Sequence, residues 1–341
     1  MTKDMQDESE IFRGTTTGTT KLRDAKSVRG TPKAGMPAFV LGEELADIAD
    51  SDPRIVVATA DLASANRTND FRDRHPDRFV NFSIAEKNMI TAAAGMASTG
   101  LIPYVATFAS FAAILGAEAI RTDCAYPKMK VRIVGHHSGM SMGFYGSSHH
   151  ALEDLGMLRC MADLTVVCAT DANHLRGILR ASVDHPLAMY IRLGRGRDPV
   201  VYNDVPKIEF GRALRVREGT DLTIITCGSQ VRASLDAAET LAGEGISVRV
   251  VDMFTLDQMD RAEIKAAAME TDAILAVEEH NITGGLGTAV GEVLLDLPRK
   301  KFLKHGVPDN YVEVGPPAAL YVKYRLDADG VAAVAREFAK A

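Results

Sequence analysis

The stretch NFSIAEKNMITAAAGMAS, residues 81–98, places one acidic side chain, Glu86, at the start of a helix that is otherwise small and apolar. A short β-branched and aromatic run, RFVNFSI (78–84), leads into this helix, and a second run, IPYVATF (102–108), follows it. Strand, helix and strand in this order form a βαβ unit, which predicts parallel strands. Glu86 therefore lies where a strand gives way to a helix.

Two roles for Glu86 are open from these residues alone. Ser83 followed three residues later by Glu86 matches a capping box, in which each side chain accepts from a backbone N–H group of the other residue. The carboxylate also lies beyond the carboxyl end of a strand, where open α/β sheets bind their ligands. Helix capping and catalysis are compatible with each other.

The alternation of strand and helix continues along the chain and changes character once. It predicts an α/β fold of two domains, each a mostly parallel sheet covered by helices. Pro199 and Pro206 bracket a stretch in which the pattern weakens. We expect a flexible N-terminal tail at 1–34, a first domain at 35–200, a linker at 201–219 and a second domain at 220–341.

Composition narrows the class of protein. Lys plus Arg total 39 against 45 Asp plus Glu, and no long basic run occurs, which argues against nucleic-acid binding. No signal-peptide core and no run of about 18 apolar residues is present, so we expect a cytoplasmic protein. The cysteines form no Cys-x-x-Cys pair, which argues against disulfides and zinc. They are Cys124, Cys160, Cys168 and Cys227.

Several polar residues follow predicted strands and are candidates for chemistry. They are Asp61, Glu86, the pair His136-His137, and the segment 146–150 (GSSHH). Neighbouring side chains in a strand point to opposite faces, so we expect no metal site at the histidine pair. Imidazoles that hold hydroxyl groups, and ordinary hydrogen-bonded loop histidines, both stay open. The Gly-rich segment 283–287 lacks phosphate-binding spacing and predicts a tight turn into a helix.

These segments together resemble the second half of a transketolase, its pyrimidine-binding domain followed by its C-terminal domain. The likeness runs from about Met36 to the C-terminus. The matching stretches are ATADLASAN (58–66), FVNFSIAEKNMITAAAGMASTGLIPYVATFASF (79–111), VGHHSGMSMGFYGSSHHALEDLGMLR (134–159), LTVVCATDANHL (164–175), MYIRLGR (189–195), VVDMFTL (250–256) and AVEEHNITGGLGTAVGEVL (276–294).

The resemblance implies thiamine diphosphate as cofactor, bound where two chains meet. Transketolases hold the diphosphate and a divalent cation through a Gly-Asp-Gly…Asn segment, which this sequence lacks. The chain therefore resembles the smaller subunit of a split transketolase, active only with an N-terminal subunit that supplies diphosphate and Mg²⁺ or Ca²⁺ binding. The implied assembly is an α2β2 heterotetramer, and the implied reaction moves a two-carbon ketol unit from a ketose to an aldose.

The resemblance also assigns cofactor-binding residues. Glu86 matches the glutamate that hydrogen-bonds N1′ of the aminopyrimidine and so favours the tautomer that can accept a proton. Phe108 and Phe111 match the aromatic pocket for that ring. Asp61 matches a carboxylate near the cofactor, and Ile114 takes the place of a third aromatic, which thins the pocket.

Substrate-binding roles follow from the same likeness. His137 and His149 match the histidines that contact sugar hydroxyls and take part in catalysis. Arg195 matches a sugar-phosphate arginine and, with Arg197 beside it, would form an anion clamp. Arg192 is a second candidate for the same role.

Three departures from the transketolase pattern concern the substrate. Tyr145 stands where the family has an acidic residue that reads hydroxyl configuration, and Ala65 stands where it has a phosphate-binding serine. A family arginine falls at about Met36. Fewer phosphate ligands and an altered hydroxyl reader lead us to expect a nonstandard sugar, such as a branched, deoxy or sulfonated one.

Three other functions stay open. The β subunit of a 2-oxo acid dehydrogenase E1 component shares the architecture and the glutamate, but the GSSHHALED segment (146–154) resembles the transketolase sugar loop. The C-terminal half of a deoxyxylulose phosphate synthase is a further relative of this kind. A non-catalytic assembly subunit would keep the fold without the reaction.

Overall fold

The computed structural model describes residues 37–195 and 198–340, and their side chains from residue 40 onward. The tail predicted at 1–34 lies outside these residues. Within them, two sheets contain all eleven strands, and helices pack against both. The predicted α/β fold with two mostly parallel sheets is confirmed.

The first sheet has six strands, all parallel, in the order β2-β1-β3-β4-β6-β5. Its strands are β1 (Ile55–Thr59), β2 (Phe79–Asn81), β3 (Ile102–Phe108), β4 (Arg132–His136), β5 (Leu164–Cys168) and β6 (Ala188–Arg192). Because parallel strands run side by side, their carboxyl ends meet at one edge of the sheet. The candidate residues that follow these strands therefore share that edge.

Continuous apolar runs form the central strands because both faces of the sheet are buried. Tyr104 and Val105, neighbours in β3, belong to different core clusters, one on each face. The helices around this sheet are α1 (Pro37–Ala49), α2 (Asn69–Arg74), α3 (Glu86–Ser98), α4 (Asp154–Leu158) and α5 (Ala172–Ser182). After β3 the chain forms an irregular helical stretch with π turns, in the segments Phe111–Leu115, Ala117–Ala119 and Ile120–Ala125.

The second sheet has five strands in the order β11-β10-β8-β9-β7. Its strands are β7 (Leu214–Arg217), β8 (Leu222–Thr226), β9 (Val248–Asp252), β10 (Ala273–Asn281) and β11 (Lys301–Val307). Only β7 is antiparallel to its neighbour among these strands. The helices of this part are α6 (Gln230–Ala242), α7 (Arg261–Glu270), α8 (Leu286–Leu294), α9 (Pro317–Lys323) and α10 (Ala328–Lys340).

Backbone hydrogen bonds join the two sheets along one seam. Val167 of β5 forms an antiparallel bridge with Thr255, which lies just beyond β9. The Cys168 N–H donates to the Phe254 carbonyl at 2.8 Å, and the Leu256 N–H donates to the Val166 carbonyl at 2.9 Å. The seam covers the edge strand of the first sheet, which would otherwise present unpaired backbone groups.

The structure adds elements that the sequence pattern did not indicate. Strand β7 lies within the stretch 201–219 that we interpreted as a linker, and β11 and α9 were not predicted. The Gly-rich segment 283–287 is a turn that leads into α8, as predicted. Among the described helices, none has the length and apolar character needed to cross a membrane.

Candidate functional site

Three residues with left-handed backbone lie just beyond the carboxyl ends of strands in the first sheet. They are Asp61 (φ 58°) after β1, Ser83 (φ 53°) after β2 and His137 (φ 57°) after β4. Residues other than glycine rarely adopt the left-handed region of backbone φ and ψ. Such residues are common at functional sites, where the surrounding fold holds them in this conformation. The same edge carries most of the sequence-predicted candidates.

Asn81, the last residue of β2, ties two of these turns together. Its Oδ1 accepts the N–H groups of Asp61 at 2.9 Å and Ser83 at 3.0 Å, and its Nδ2 donates to Asp61 Oδ1 at 3.2 Å. Asn81 therefore holds the Asp61 carboxylate and the approach to α3 in one arrangement. Sequence reasoning missed this role, although an amide side chain at the end of a short strand is a recognisable signal.

Glu86 is the first residue of α3, not the fourth position of a capping box. The flanking residue is Ala85, and Ser83 forms no side-chain cap because its backbone turns left-handed. The capping-box interpretation is therefore wrong. The Glu86 side chain is 6% exposed, and within the described residues its carboxylate has no hydrogen-bond or ion-pair partner.

An open groove of about 530 Å³ lies beside Glu86. It is lined by Ile84, Ala85, Glu86, Lys87, Asn88, Thr91 and Leu115. Two of its apolar side chains are exposed, Ile84 at 82% and Leu115 at 56%. A buried carboxylate beside exposed apolar side chains is the arrangement expected where a ligand or another chain completes a surface.

A cluster of rings lies at the ends of β3 and β4. The Phe108 ring centroid is 5.5 Å from that of Phe111, 5.2 Å from that of His137 and 5.6 Å from that of His149. The Phe111 centroid is 5.1 Å from that of His149. The structure thus brings together four residues that the resemblance assigned to cofactor and substrate. Both phenylalanines stay partly exposed.

His136 and His137 contact each other rather than pointing to opposite faces. Their Nδ1 atoms are 2.6 Å apart, so one ring donates and the other accepts. The expected alternation fails because His136 ends β4 and the left-handed backbone of His137 turns the second ring back. The tautomer of one ring fixes that of the other, and His136 belongs to the site although no role was predicted for it.

Burial keeps the site histidines neutral near pH 7. Burial first, and then the charges of Arg195 and Arg67, lower the pKa of His137 to about 3. Burial also lowers the pKa of His149. A neutral imidazole has one N–H donor and one acceptor nitrogen, which suits hydrogen bonding to a hydroxyl group.

The arginine candidates have different environments. The Gly194 carbonyl accepts from the His137 N–H at 3.2 Å, so Arg195 begins beside that histidine, and its Nη1 donates to the Ser141 carbonyl at 3.4 Å. Arg192 is buried, with its Nε 2.8 Å from Asp154 Oδ2, so its interpretation as an anion clamp is wrong. Arg197 lies outside the described residues.

The substrate departures are also located. Tyr145 is 47% exposed, and its ring centroid is 4.9 Å from that of His149. Ala65 is partly buried in the segment after Asp61, and Ile114 is half exposed near Leu115. Met36 lies outside the described residues. In the described part of the chain, no group of three or more His, Cys, Asp or Glu residues could hold a metal ion.

The site therefore has two parts. Phe108, Phe111, His137, His149 and Tyr145 form the ring cluster, with Arg195 adjoining His137. Asp61 and Glu86 lie beyond the ends of β1 and β2, near Asn81 and the turn at Ser83, and within the described residues no hydrogen bond or ion pair joins either carboxylate to the rings.

Family models match nearly all of the described chain. The transketolase pyrimidine-binding domain matches residues 38–198, and the transketolase C-terminal domain matches residues 211–331. An apulose-4-phosphate transketolase subunit from Phocaeicola vulgatus is 35% identical over 299 residues, 87% of this chain and 96% of that protein. The 6-deoxy-6-sulfo-D-fructose transketolase subunit SqwH of a Clostridium strain is 34% identical, over 86% of this chain and 91% of its own length.

A solved structure agrees with these sequence matches. It is a split-gene transketolase in an inactive beta4 tetramer, 38% identical, with a TM-score of 0.83. The match covers 90% of this chain and 99% of that one. Domain models, relatives matched over nearly their whole length and a solved structure all point the same way, and the chain belongs to the transketolase family.

Proposed function

We propose that this chain is the catalytic-glutamate subunit of a split transketolase, which transfers a two-carbon ketol unit from a ketose to an aldose. The observation that carries the proposal is Glu86, a buried residue that lines the open groove and whose carboxylate has no partner within the described residues, at the same sheet edge as the cluster of Phe108, Phe111, His137 and His149. A carboxylate that faces a groove and accepts no hydrogen bond from its own fold can accept one from a ligand. The ring cluster supplies a surface for the sugar substrate that would react with this ligand.

The residues of this edge fit the family's cofactor, thiamine diphosphate. The cofactor's aminopyrimidine needs an acid at one ring nitrogen and an aromatic surface to pack on. Glu86 offers the first, and the partly exposed Phe108 and Phe111 offer the second. When bound, thiamine diphosphate supplies the nucleophilic carbon that carries the ketol unit. Asp61, held by Asn81, is proposed to adjoin the cofactor at the subunit contact.

The histidines are proposed to act on the sugar. Nδ1 of His137 bonds His136 and Nδ1 of His149 bonds Ser148, so each neutral ring has its Nε2 left to bond a hydroxyl group, and where Nε2 is unprotonated it can accept a proton as that hydroxyl becomes a carbonyl. Contact with Phe108 orients both rings. Arg195, whose charge acts on His137, is proposed to bind the anionic end of the substrate.

A second chain is proposed to complete the enzyme. The exposed apolar rim of the groove, Ile84 and Leu115, beside Glu86 supports a partner that covers this surface. Diphosphate and Mg²⁺ or Ca²⁺ would be held mainly by that partner. Relatives described as subunits, and a split-gene transketolase of the same fold, support an assembly of two chain types, which we propose to be α2β2.

The substrate is proposed to include a nonstandard sugar. Tyr145 presents an aromatic face beside His149 where a carboxylate would read hydroxyl configuration, and Ala65 offers no hydroxyl to a phosphate. Two relatives are described as subunits of an apulose-4-phosphate transketolase and of a 6-deoxy-6-sulfo-D-fructose transketolase. Turnover of ordinary pentose phosphates equal to or better than that of such sugars would contradict this part.

The first test is purification of the tagged chain from its host, with mass spectrometry of co-purifying protein and cofactor. We expect a second chain with a Gly-Asp-Gly…Asn segment, together with thiamine diphosphate. The recovered complex is then assayed for ketol transfer to aldoses and for decarboxylation of 2-oxo acids. Activity only toward 2-oxo acids would favour a dehydrogenase component or a deoxyxylulose phosphate synthase. No partner and no cofactor would favour an assembly role.

The decisive variant is Glu86→Gln in the assembled complex. We expect at least a ~100-fold loss of turnover, the order typical of losing an acid–base group, with assembly retained. The matched control is Glu118→Gln, the same change at an exposed carboxylate. Glu118 lies in the irregular helical stretch after β3 and pairs with Lys87 of α3. Retained activity in Glu86→Gln, or an equal loss in both variants, would refute the role of Glu86.

A further inference from the structure

The two sugar-site histidines belong to one closed loop, which we call the two-histidine loop, residues 137–151. Its neck is an antiparallel bridge between Gly139 and Ala151, with N–H to carbonyl distances of 3.1 and 3.0 Å. His137 lies two residues before one side of this neck, and His149 lies two residues before the other. Whatever fixes the neck therefore fixes where both imidazoles begin.

The neck rests on Glu279, which comes from the second sheet. Oε1 of Glu279 accepts the Met140 N–H at 2.8 Å, across 139 residues of sequence. Gly139 is left-handed (φ 60°), and a Cβ added to it would overlap the Glu279 carboxyl group. The loop thus approaches this carboxylate more closely than any side chain at position 139 would permit.

Arg192 connects the other side of the neck to the same residue. Its Nη2 donates to the Ala151 carbonyl at 2.9 Å and to the Glu279 carbonyl at 3.0 Å. Its Nε pairs with Asp154 just beyond the loop at 2.8 Å. Both strands of the neck are therefore tied to the carboxyl end of β10, one through the side chain of Glu279 and one through its backbone.

Two helical segments of the C-terminal part hold the Glu279 carboxylate in turn. Ser229, at the start of α6, donates its hydroxyl to Oε2 at 2.6 Å, and Tyr321 of α9 donates its hydroxyl to Oε1. Glu279 is 3% exposed. With donors from three segments, this carboxylate has its position fixed before any ligand binds.

We propose that Glu279 is a positioning residue for the sugar site, by which the second sheet sets the two-histidine loop and hence His137 and His149. This inference rests on the proposed function. By this inference the C-terminal part of the chain contributes to substrate binding, although that part places no side chain in the ring cluster. Small misplacements of reacting groups cost large factors in rate, so a loosened neck should be visible in sugar kinetics.

The test compares Glu279→Ala with the conservative Glu279→Gln in the complex purified from its host. Val331→Ala is the control, because Val331 is fully buried on α10 in the same core cluster as Met140 and Leu152, and its truncation destabilises this part without removing a hydrogen bond from the neck. One readout is kcat and KM for the sugar substrates. The other is hydrogen exchange of segment 137–151, followed by mass spectrometry.

For Glu279→Ala we expect kcat/KM for the sugars to fall by at least ~10-fold, with thiamine diphosphate retained and exchange of 137–151 faster. Glu279→Gln keeps an oxygen for the Met140 N–H and should recover most of both. Unchanged exchange in Glu279→Ala would overturn the inference, as would faster exchange with unchanged kinetics or an equal KM change in Val331→Ala. A wild-type complex without ketol transfer would refute the proposed function. The hydrogen exchange of segment 137–151 alone would then decide whether Glu279 positions the two-histidine loop.

Discussion

The glutamates buried at the end of β10 and the glutamate buried at the start of α3 have opposite surroundings. At the end of β10, Glu278 accepts the N–H groups of Leu286 and Gly287 at 2.6 and 2.9 Å. Its neighbour Glu279 accepts from three further donors. At the start of α3, Glu86 is buried with no partner within the described residues. Buried carboxylates with full sets of donors build structure, whereas a bare one points to a ligand from outside the chain.

The difference follows from how each strand end is used. In β10 the side chains alternate, so Glu278 turns toward α8 and Glu279 toward the two-histidine loop. Burial raises the pKa of Glu278, yet two backbone donors hold it in place. At α3, the left-handed turn at Ser83 takes the usual capping side chain away from the helix start and leaves Glu86 in front of the groove.

The largest predicted effect tests the comparison directly through stability. Glu278→Ala leaves two buried helix N–H groups without an acceptor, and we expect the free energy of unfolding to fall by about 2–4 kcal/mol. Glu86→Ala removes no hydrogen bond, so the change should stay within about 1 kcal/mol. Urea unfolding of the purified chain measures both. Equal losses of unfolding free energy in the two variants would mean that Glu86 has a structural role like that of Glu278.

The next effect sharpens the comparison with pH. The folded-state pKa of His137, about 3, lies below its ordinary value of about 6.5, so unfolding takes up a proton. The stability from neutral His137 is fully present above about pH 6.5 and is lost as pH falls toward 3. His137→Asn should therefore lose about 2 kcal/mol less than wild type between pH 7.5 and 5.

The cause of that slope can be separated by a second variant. Arg195→Met removes one of the two charges that oppose protonation of His137, so the folded-state pKa of His137 should rise but stay below 6.5, because burial is the larger cause. The loss of stability should therefore stop at a higher pH than in wild type, and urea midpoints between pH 5 and 3 provide the measurement. Parallel curves for wild type and His137→Asn would show that His137 does not titrate in this way.

The smallest effect concerns the sugar. Tyr145→Asp restores a carboxylate beside His149, and we expect the kcat/KM ratio of ordinary pentose phosphates to nonstandard sugars to rise about tenfold, or ~1.4 kcal/mol. Tyr126→Asp is the matched control, since Tyr126 is 85% exposed and has no ring contact with the cluster. A ratio unchanged by Tyr145→Asp would remove Tyr145 from sugar recognition.

Local sequence patterns predicted the interior strands well, because strands buried on both faces need continuous apolar runs, as in IPYVATF for β3. The edge strands β7 (LRVR) and β11 (KFLKHGV) were not predicted, because an edge strand need not be a continuous apolar run. Resemblance brought Phe108, Phe111, His137, His149 and Tyr145 together, and the ring distances agree with that grouping.

What sequence reasoning missed depends on backbone conformation or on distant partners. The His136–His137 contact and the failed capping box both arise from single left-handed residues, His137 and Ser83, which composition does not reveal. Glu279 could not be assigned from its own neighbours in sequence, because Met140, the residue it holds, lies 139 positions away.

The seam at Val167 and Thr255 limits how this chain can be recombined. Relatives differ in the sugars they are described as acting on, which invites exchange of C-terminal parts to graft specificity. Any such chimera must rebuild three backbone-paired positions on either side of the seam, together with the Glu279 contact to the loop. A chimera of two relatives should therefore fold when β5, the segment after β9 and the end of β10 all come from the same parent chain.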